Sequence, residues 1–216
     1  MSADLSSALA RVLEKHVPGF RALQSCDRLS GGASQETYRI VVEAADGERR
    51  YAMRRAPGGK PPAIAEAGIG LEVEARLFLA ARAVGVPEPE ILRVFEERDG
   101  LGRGFLMEWL EGETLGAKIV RDEEFEAIRP KLAEQCGEVL ARIHSVDVAS
   151  AGLAETLRTR TPAELVHESW NLYQAYGTPQ PMIDFSARWL LDHLPPPSPP
   201  RLVHGDFRNG NLMISR

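Results

Sequence analysis

The sequence predicts an α+β fold of two lobes, a small antiparallel sheet followed by a helical half. Three observations carry this. Residues 37–42 and 50–54 read as strands paired around Asp46-Gly47, and two further strands read at 91–95 and 104–109. Beyond Glu111-Gly112-Glu113 the apolar residues recur at helical spacing almost to the end. At 216 residues the chain has room for one sizeable core or two small lobes.

In chain order, Asp4 caps a helix whose apolar face is Leu5, Leu9, Val12, Leu13 and His16, stopped at Pro18-Gly19. Strand texture begins at Leu29. The segment Ser30-Gly31-Gly32-Ala33-Ser34 leads into Thr37-Tyr38, and two glycines with a serine let backbone N–H groups approach a phosphate closely. A plain turn fits the same residues. On the next strand Ala52 and Arg54 are two apart and share a face. A small residue there admits a flat base, and a cation beside it reaches phosphates; the alternative is a surface arginine, a role open to Arg55 on the other face.

Lys60-Pro61-Pro62 breaks the chain. A helix follows from Leu71 to Val84, with Val73, Leu77, Ala80, Ala81 and Val84 as its stripe and Glu74 beside it. Gly85, Pro87 and Pro89 end it. After the strands around Asp99-Gly100, a helix over 131–144 carries Leu132, Cys136, Val139, Leu140 and Ile143. Helices over 164–176 and 182–194 carry Trp170, Tyr173, Phe185, Trp189 and Leu190, spaced as core residues. The proline tract 195–200 reads as a stiff connector.

Composition excludes several functions. The charged fraction is 26%, the apolar fraction 44% and the net charge −5, so no basic face for nucleic acid is expected. No apolar run reaches membrane-spanning length, and Met1-Ser2-Ala3-Asp4 lacks the basic start of a signal peptide. Cys26 and Cys136 stand alone and the five histidines show no ligand spacing, which points to a reducing cytoplasm.

The chemistry concentrates near the end. His204-Gly205-Asp206 and Asn211 lie in a polar loop between the short apolar runs Leu202-Val203 and Leu212 to Ile214, read as two buried strand-like segments. A carboxylate there can take a proton from a hydroxyl, and an amide oxygen five residues on can hold a divalent metal. Phosphoryl transfer needs such a pair.

Gly31-Gly32-Ala33-Ser34 with Thr37-Tyr38, Tyr51 to Arg55, Glu74 before Gly85-Val86-Pro87, Phe105 to Trp109, and His204-Gly205-Asp206 with Asn211 occur in that order. The ordered set resembles the aminoglycoside phosphotransferase (choline-kinase-like) family of small-molecule kinases. The branch it most resembles is the kinase domain of the acyl-CoA dehydrogenase family proteins, whose pattern includes residues like Trp170, Tyr173 and Trp189-Leu190. The resemblance implies a protein-kinase-like fold, with a nucleotide-binding lobe over 1–107, a hinge over 108–112 and a partial helical lobe over 113–216.

It also implies ATP and Mg2+ as cofactors, and transfer of the γ-phosphoryl group to a hydroxyl of a small molecule, aminoglycoside-like or hydroxyacyl-CoA-like. Gly31, Gly32, Ala33 and Ser34 would cover the phosphates. Arg54 would replace the usual lysine and pair with Glu74. Glu108, Trp109 and Leu110 would read the adenine beside Ala52. Asp206 would be the base, Asn211 a magnesium ligand, and His204 structural. The family also has a second metal-binding aspartate in an Ile-Asp-Trp-like strand after the asparagine, and this sequence ends at Arg216. The expectation is a truncated helical lobe, a chain inactive as it stands, and an apolar surface through which copies self-associate. The alternatives are a nucleotide-binding pseudokinase module and an interaction domain in which each motif is a turn or a core stripe.

Overall fold

The computed structural model describes residues 3–29, 35–60 and 69–215. Helix α1 (Ala3–His16) precedes strands β1 (Phe20–Arg28), β2 (Glu36–Ala44) and β3 (Gly47–Arg55). Then come α2 (Leu71–Ala83), β4 (Ile91–Val94) and β5 (Gly104–Glu108). The second half holds α3 (Gly116–Arg121), α4 (Arg129–His144), α5 (Pro162–Ala175) and α6 (Pro181–Asp192). The strands form one antiparallel sheet in the order β1-β2-β3-β5-β4. The α+β expectation and the hairpin hold, with Glu36 paired to Arg55 and Ala44 to Gly47.

Both faces of the sheet are covered, because alternate residues of β2 and β3 point to opposite sides. One face buries Tyr38, Ile40, Val42, Tyr51 and Met53 against Leu5, Leu9, Val12 and Leu13 of α1. The other packs Phe105 and Met107 against Leu71, Ala75 and Phe78 of α2. The rings of Phe78 and Phe105 meet edge to face at 5.9 Å. Register places Ala52 opposite Met107 and Arg54 opposite Phe105, so both project toward α2.

The end of α2 also belongs to the helical half. Ala81 and Val86 pack on Ile143 of α4, with Val84, Val139, Leu202 and Phe207 around them. Arg142 Nη1 donates to the Gly85 carbonyl at 2.9 Å, and Arg76 Nη2 donates to the Gly152 carbonyl. Helices α5 and α6 form a hairpin closed by Trp170 Nε1 on Asp184 at 2.7 Å, and a Thr161–Glu164 capping box starts α5.

Four expectations need correction. Strand β1 was not anticipated: bulges between Phe20 and Ala22 and between Leu23 and Ser25 break the alternation that marks a strand. The buried stripe of α2 is Leu71, Ala75 and Ala81 with Phe78 beside it, a face rotated from the one through Val73, Leu77 and Ala80. Several apolar residues of α5 and α6 are not core, Phe185 being 62% and Trp189 49% exposed. The runs flanking the Asp206 loop are not buried strands: Val203 is 65% exposed, and the only pairing among the described residues there is a single bridge from Ile214 to Glu113.

Candidate functional site

Two groups of side chains stand out, one on the sheet and one in the last loop. On β3, Arg54 reaches across to α2, and its Nη1 forms an ion pair with Glu74 Oε1. The backbone fixes this meeting: Arg54 lies on the α2 side of the sheet, and Glu74 lies in the first turn of a helix packed on that side. Arg54 Nη2 donates to Gln35 Oε1, while Gln35 Nε2 donates to Glu74 Oε2 at 3.4 Å. Arg54 Nε is buried and has no partner among the described residues. Nearby, burial and the Glu74 carboxylate push the Glu88 carboxyl above its ordinary range.

Arg55 is not a surface arginine. Its Nε donates to the Leu101 carbonyl at 2.7 Å, and its Nη1 lies 3.6 Å from the buried Glu36 carboxylate, which also accepts from the Tyr38 hydroxyl at 3.1 Å. It therefore ties the far face of the sheet together, while Arg54 lies on the α2 side.

Ala52, 6% exposed, sits one strand from the end of β5. Glu108 closes that strand, its amide donating to the Glu90 carbonyl at 2.8 Å and its carboxylate accepting from the Glu90 amide at 3.2 Å. Trp109 and Leu110 follow, half-buried, with Trp109 Nε1 donating to Glu111 at 2.9 Å. Residues Gly31, Gly32, Ala33 and Ser34 lie outside the described residues.

In the last loop the structure brings Asp206 and Asn211 into contact. Asn211 Nδ2 donates to Asp206 Oδ2 at 2.7 Å and to the Asp206 carbonyl at 2.9 Å. Arg208 Nε donates to Asp206 Oδ1 at 2.9 Å. The Asp206 amide donates to His204 Nδ1 at 3.2 Å, and the His204 ring stands edge to face on Phe207. Gly210, at φ +93°, turns the chain so that Asn211 comes back over Asp206. Anchors on three sides hold the loop: Leu202 and Phe207 on the Ala81–Val86–Ile143 cluster, Asn209 against Gly116, and Ile214 on Glu113.

No hydrogen bond or ion pair joins the two groups among the described residues. Helix α2 links them instead, carrying Glu74 near its start and meeting Phe207 through the cluster around Ala81. Seven residues of helix separate those positions by roughly 10 Å along the axis. Sequence reasoning missed Gln35, Glu88 and Phe207. Gln35 and Glu88 meet Glu74 only through tertiary packing, whereas an aromatic inside an otherwise polar loop was a usable sign for Phe207.

A sheet packed between α1 and α2, continuing into a helical half with an Asp/Asn loop, is a build that fits a phosphotransferase. Residues 25–216 match the phosphotransferase enzyme family, APH, and the chain belongs to that family. Among curated relatives it is similar to mouse (Mus musculus) acyl-CoA dehydrogenase family member 10, 30% identical over 214 residues. That match covers 94% of this chain and 19% of the relative, so the chain spans about a fifth of its length. Among solved structures it is similar to a spectinomycin phosphotransferase in complex with ADP and spectinomycin, with a TM-score of 0.58 and 15% identity. The overlap covers 97% of this chain and 65% of that one, and it shows the protein-kinase-like fold.

Proposed function

We propose that the chain forms the nucleotide-binding lobe and catalytic loop of an ATP-dependent phosphotransferase that acts on a hydroxyl of a small molecule. The observation that carries this reading is the ion pair of Arg54 on β3 with Glu74 on α2, the helix that also anchors the Asp206 loop, with a buried Arg54 Nε that has no partner among the described residues. A buried donor without an acceptor is costly, and a phosphate oxygen is an acceptor that removes the cost. The residues present therefore fit a nucleotide. Gly31, Gly32, Ala33 and Ser34 cover its phosphates, Arg54 holds them, and Glu74 orients Arg54. Glu108, Trp109 and Leu110 would read the adenine of a bound nucleotide, beside Ala52. Residues 1–107, 108–112 and 113–216 then divide as nucleotide lobe, hinge and helical lobe.

The amide oxygen of Asn211 is a donor of the kind Mg2+ takes, alongside waters and phosphates. Bound there, the ion would neutralise charge on the phosphates. In the transfer, the acceptor oxygen forms a bond to the γ-phosphorus as the bond to the β-phosphate oxygen breaks and ADP leaves. The hydroxyl proton passes to the Asp206 carboxylate. That carboxylate first gives up contacts, since Arg208 and Asn211 now occupy both of its oxygens. This engagement favours a second reading, a nucleotide-binding module in which Asp206 stays tied and no transfer follows. The acceptor class follows from cleft charge: an aminoglycoside is a polycation and favours an acidic cleft, whereas a hydroxyacyl-CoA is an anion and favours a basic one.

The test is ADP release from magnesium-ATP over a panel of hydroxylated acceptors, beside direct titration with ADP. Asp206→Asn should abolish release and leave ADP affinity within about twofold, since the base acts on the acceptor. Equal release by mutant and parent would overturn the role of Asp206. A parent that binds ADP and releases none with any acceptor would favour the non-catalytic module.

A further inference from the structure

The residue just before β2 contributes a side chain that no motif assigns. Gln35 precedes Glu36, and its amide touches both members of the Arg54–Glu74 pair. Its oxygen accepts from Arg54 Nη2, its nitrogen donates to Glu74 Oε2 at 3.4 Å, and Arg54 Nη1 closes the ring on Glu74 Oε1. An amide suits this place, because it offers an acceptor to the guanidinium and a donor to the carboxylate at once. It is also neutral. A carboxylate at position 35 would still accept from Arg54, but it would face Glu74 without a donor and cancel charge that an anion needs. Each terminal nitrogen of Arg54 thus gives one of its two N–H groups to the protein, and the buried Nε has no partner among the described residues.

We propose that Gln35 is a positioning residue for nucleotide phosphates. It locks the Arg54 guanidinium against Glu74, leaves Nε and one N–H on each terminal nitrogen for phosphate oxygens, and adds no charge of its own to cancel the cation. This rests on Arg54 being the phosphate-binding cation.

Calorimetric titration with ADP tests it, using the parent chain, Arg54→Ala, Gln35→Ala, Gln35→Glu and the Arg54→Ala/Gln35→Ala double variant, with a thermal melt of each. Gln35→Ala should weaken ADP binding roughly tenfold, the scale of a lost hydrogen bond to a charged group, and should cost nothing further once Arg54 is alanine. Gln35→Glu should weaken ADP more than Gln35→Ala does, while its melting temperature falls no further. A purely structural Gln35 would instead let the two variants track their melting temperatures.

The outcomes separate the two ideas. A parent that binds no ADP, or an Arg54→Ala variant that binds like the parent, overturns the phosphate role of Arg54 and this inference with it. Weakened binding by Arg54→Ala beside unchanged binding by Gln35→Ala overturns the inference alone. So does parent-like affinity in Gln35→Glu, or an equal loss from Gln35→Ala with and without Arg54.

Discussion

Glu74 works in two directions: it pairs with Arg54 on one side and crowds Glu88 on the other. Burial, and then the Glu74 charge, raise the Glu88 carboxyl above its ordinary range of about 4.3. The sign of the linkage follows. A raised folded-state value contributes stability that is fully present below the unfolded value and is lost as pH rises through the folded one. Glu88→Gln, which is neutral at every pH, should therefore melt higher than the parent at pH 7, and the difference should vanish in acid below the ordinary carboxylate range. Paired thermal melts from pH 3.5 to pH 8 would show it, and a constant gap across that span would mean Glu88 is not strained by its charge. The sequence made the Arg54–Glu74 pair and the Asp206–Asn211 pair legible, because period-two alternation puts Arg54 on one strand face and the loop spacing puts Asn211 beside Asp206. It gave no sign of Glu88 or Gln35, whose meeting with Glu74 depends on how α2 lies on the sheet.

At the scale of elements, strong patterns were legible and interrupted ones were not. The β2–β3 hairpin shows nine paired positions without a slip, and its alternation reads directly from the residues. Strand β1 hides behind two bulges. In α2 both candidate stripes are apolar, and the sheet selects the one with Phe78, whose ring fills the space beside Phe105. Helices α5 and α6 differ again, since their bulky residues have the spacing of a core and yet Leu172, Tyr176, Met182, Phe185 and Trp189 are exposed. Exposed apolar side chains on one helical hairpin offer binding sites to amphipathic dyes. Phe185→Ser with Met182→Ser should lower the fluorescence of bound anilinonaphthalene sulfonate while moving the melting point little, because exposed substitutions usually change stability by under about 0.5 kcal/mol. Unchanged fluorescence would place the dye elsewhere; a collapse of the melting curve would mean these side chains are packed after all.

At the scale of the molecule, α2 is the strut between the halves. Its first turn carries Glu74, its last turn packs Ala81 on Ile143, and Arg76 and the Gly85 carbonyl hold it to the helical half. Phe207 enters the same cluster from the loop that carries Asp206. Under the proposed function, the sheet holds the nucleotide and the loop holds the base, so their separation depends on how Phe207 seats against the end of α2. Phosphoryl transfer depends on positioning to within about an ångström, and a misplacement of that size costs on the order of 100-fold. Phe207→Ala removes the anchor without touching Arg54, Glu74 or Asp206. It should lower kcat for magnesium-ATP by roughly 10-fold to 100-fold and leave ADP affinity within about twofold. Phe207→Leu keeps an apolar side chain in the cluster and should recover most of the rate. Parallel losses of rate and ADP affinity in Phe207→Ala would mean that the cluster supports the whole molecule rather than the loop. An unchanged rate would mean that the bridge from Ile214 to Glu113 and the contact of Asn209 with Gly116 seat the loop by themselves.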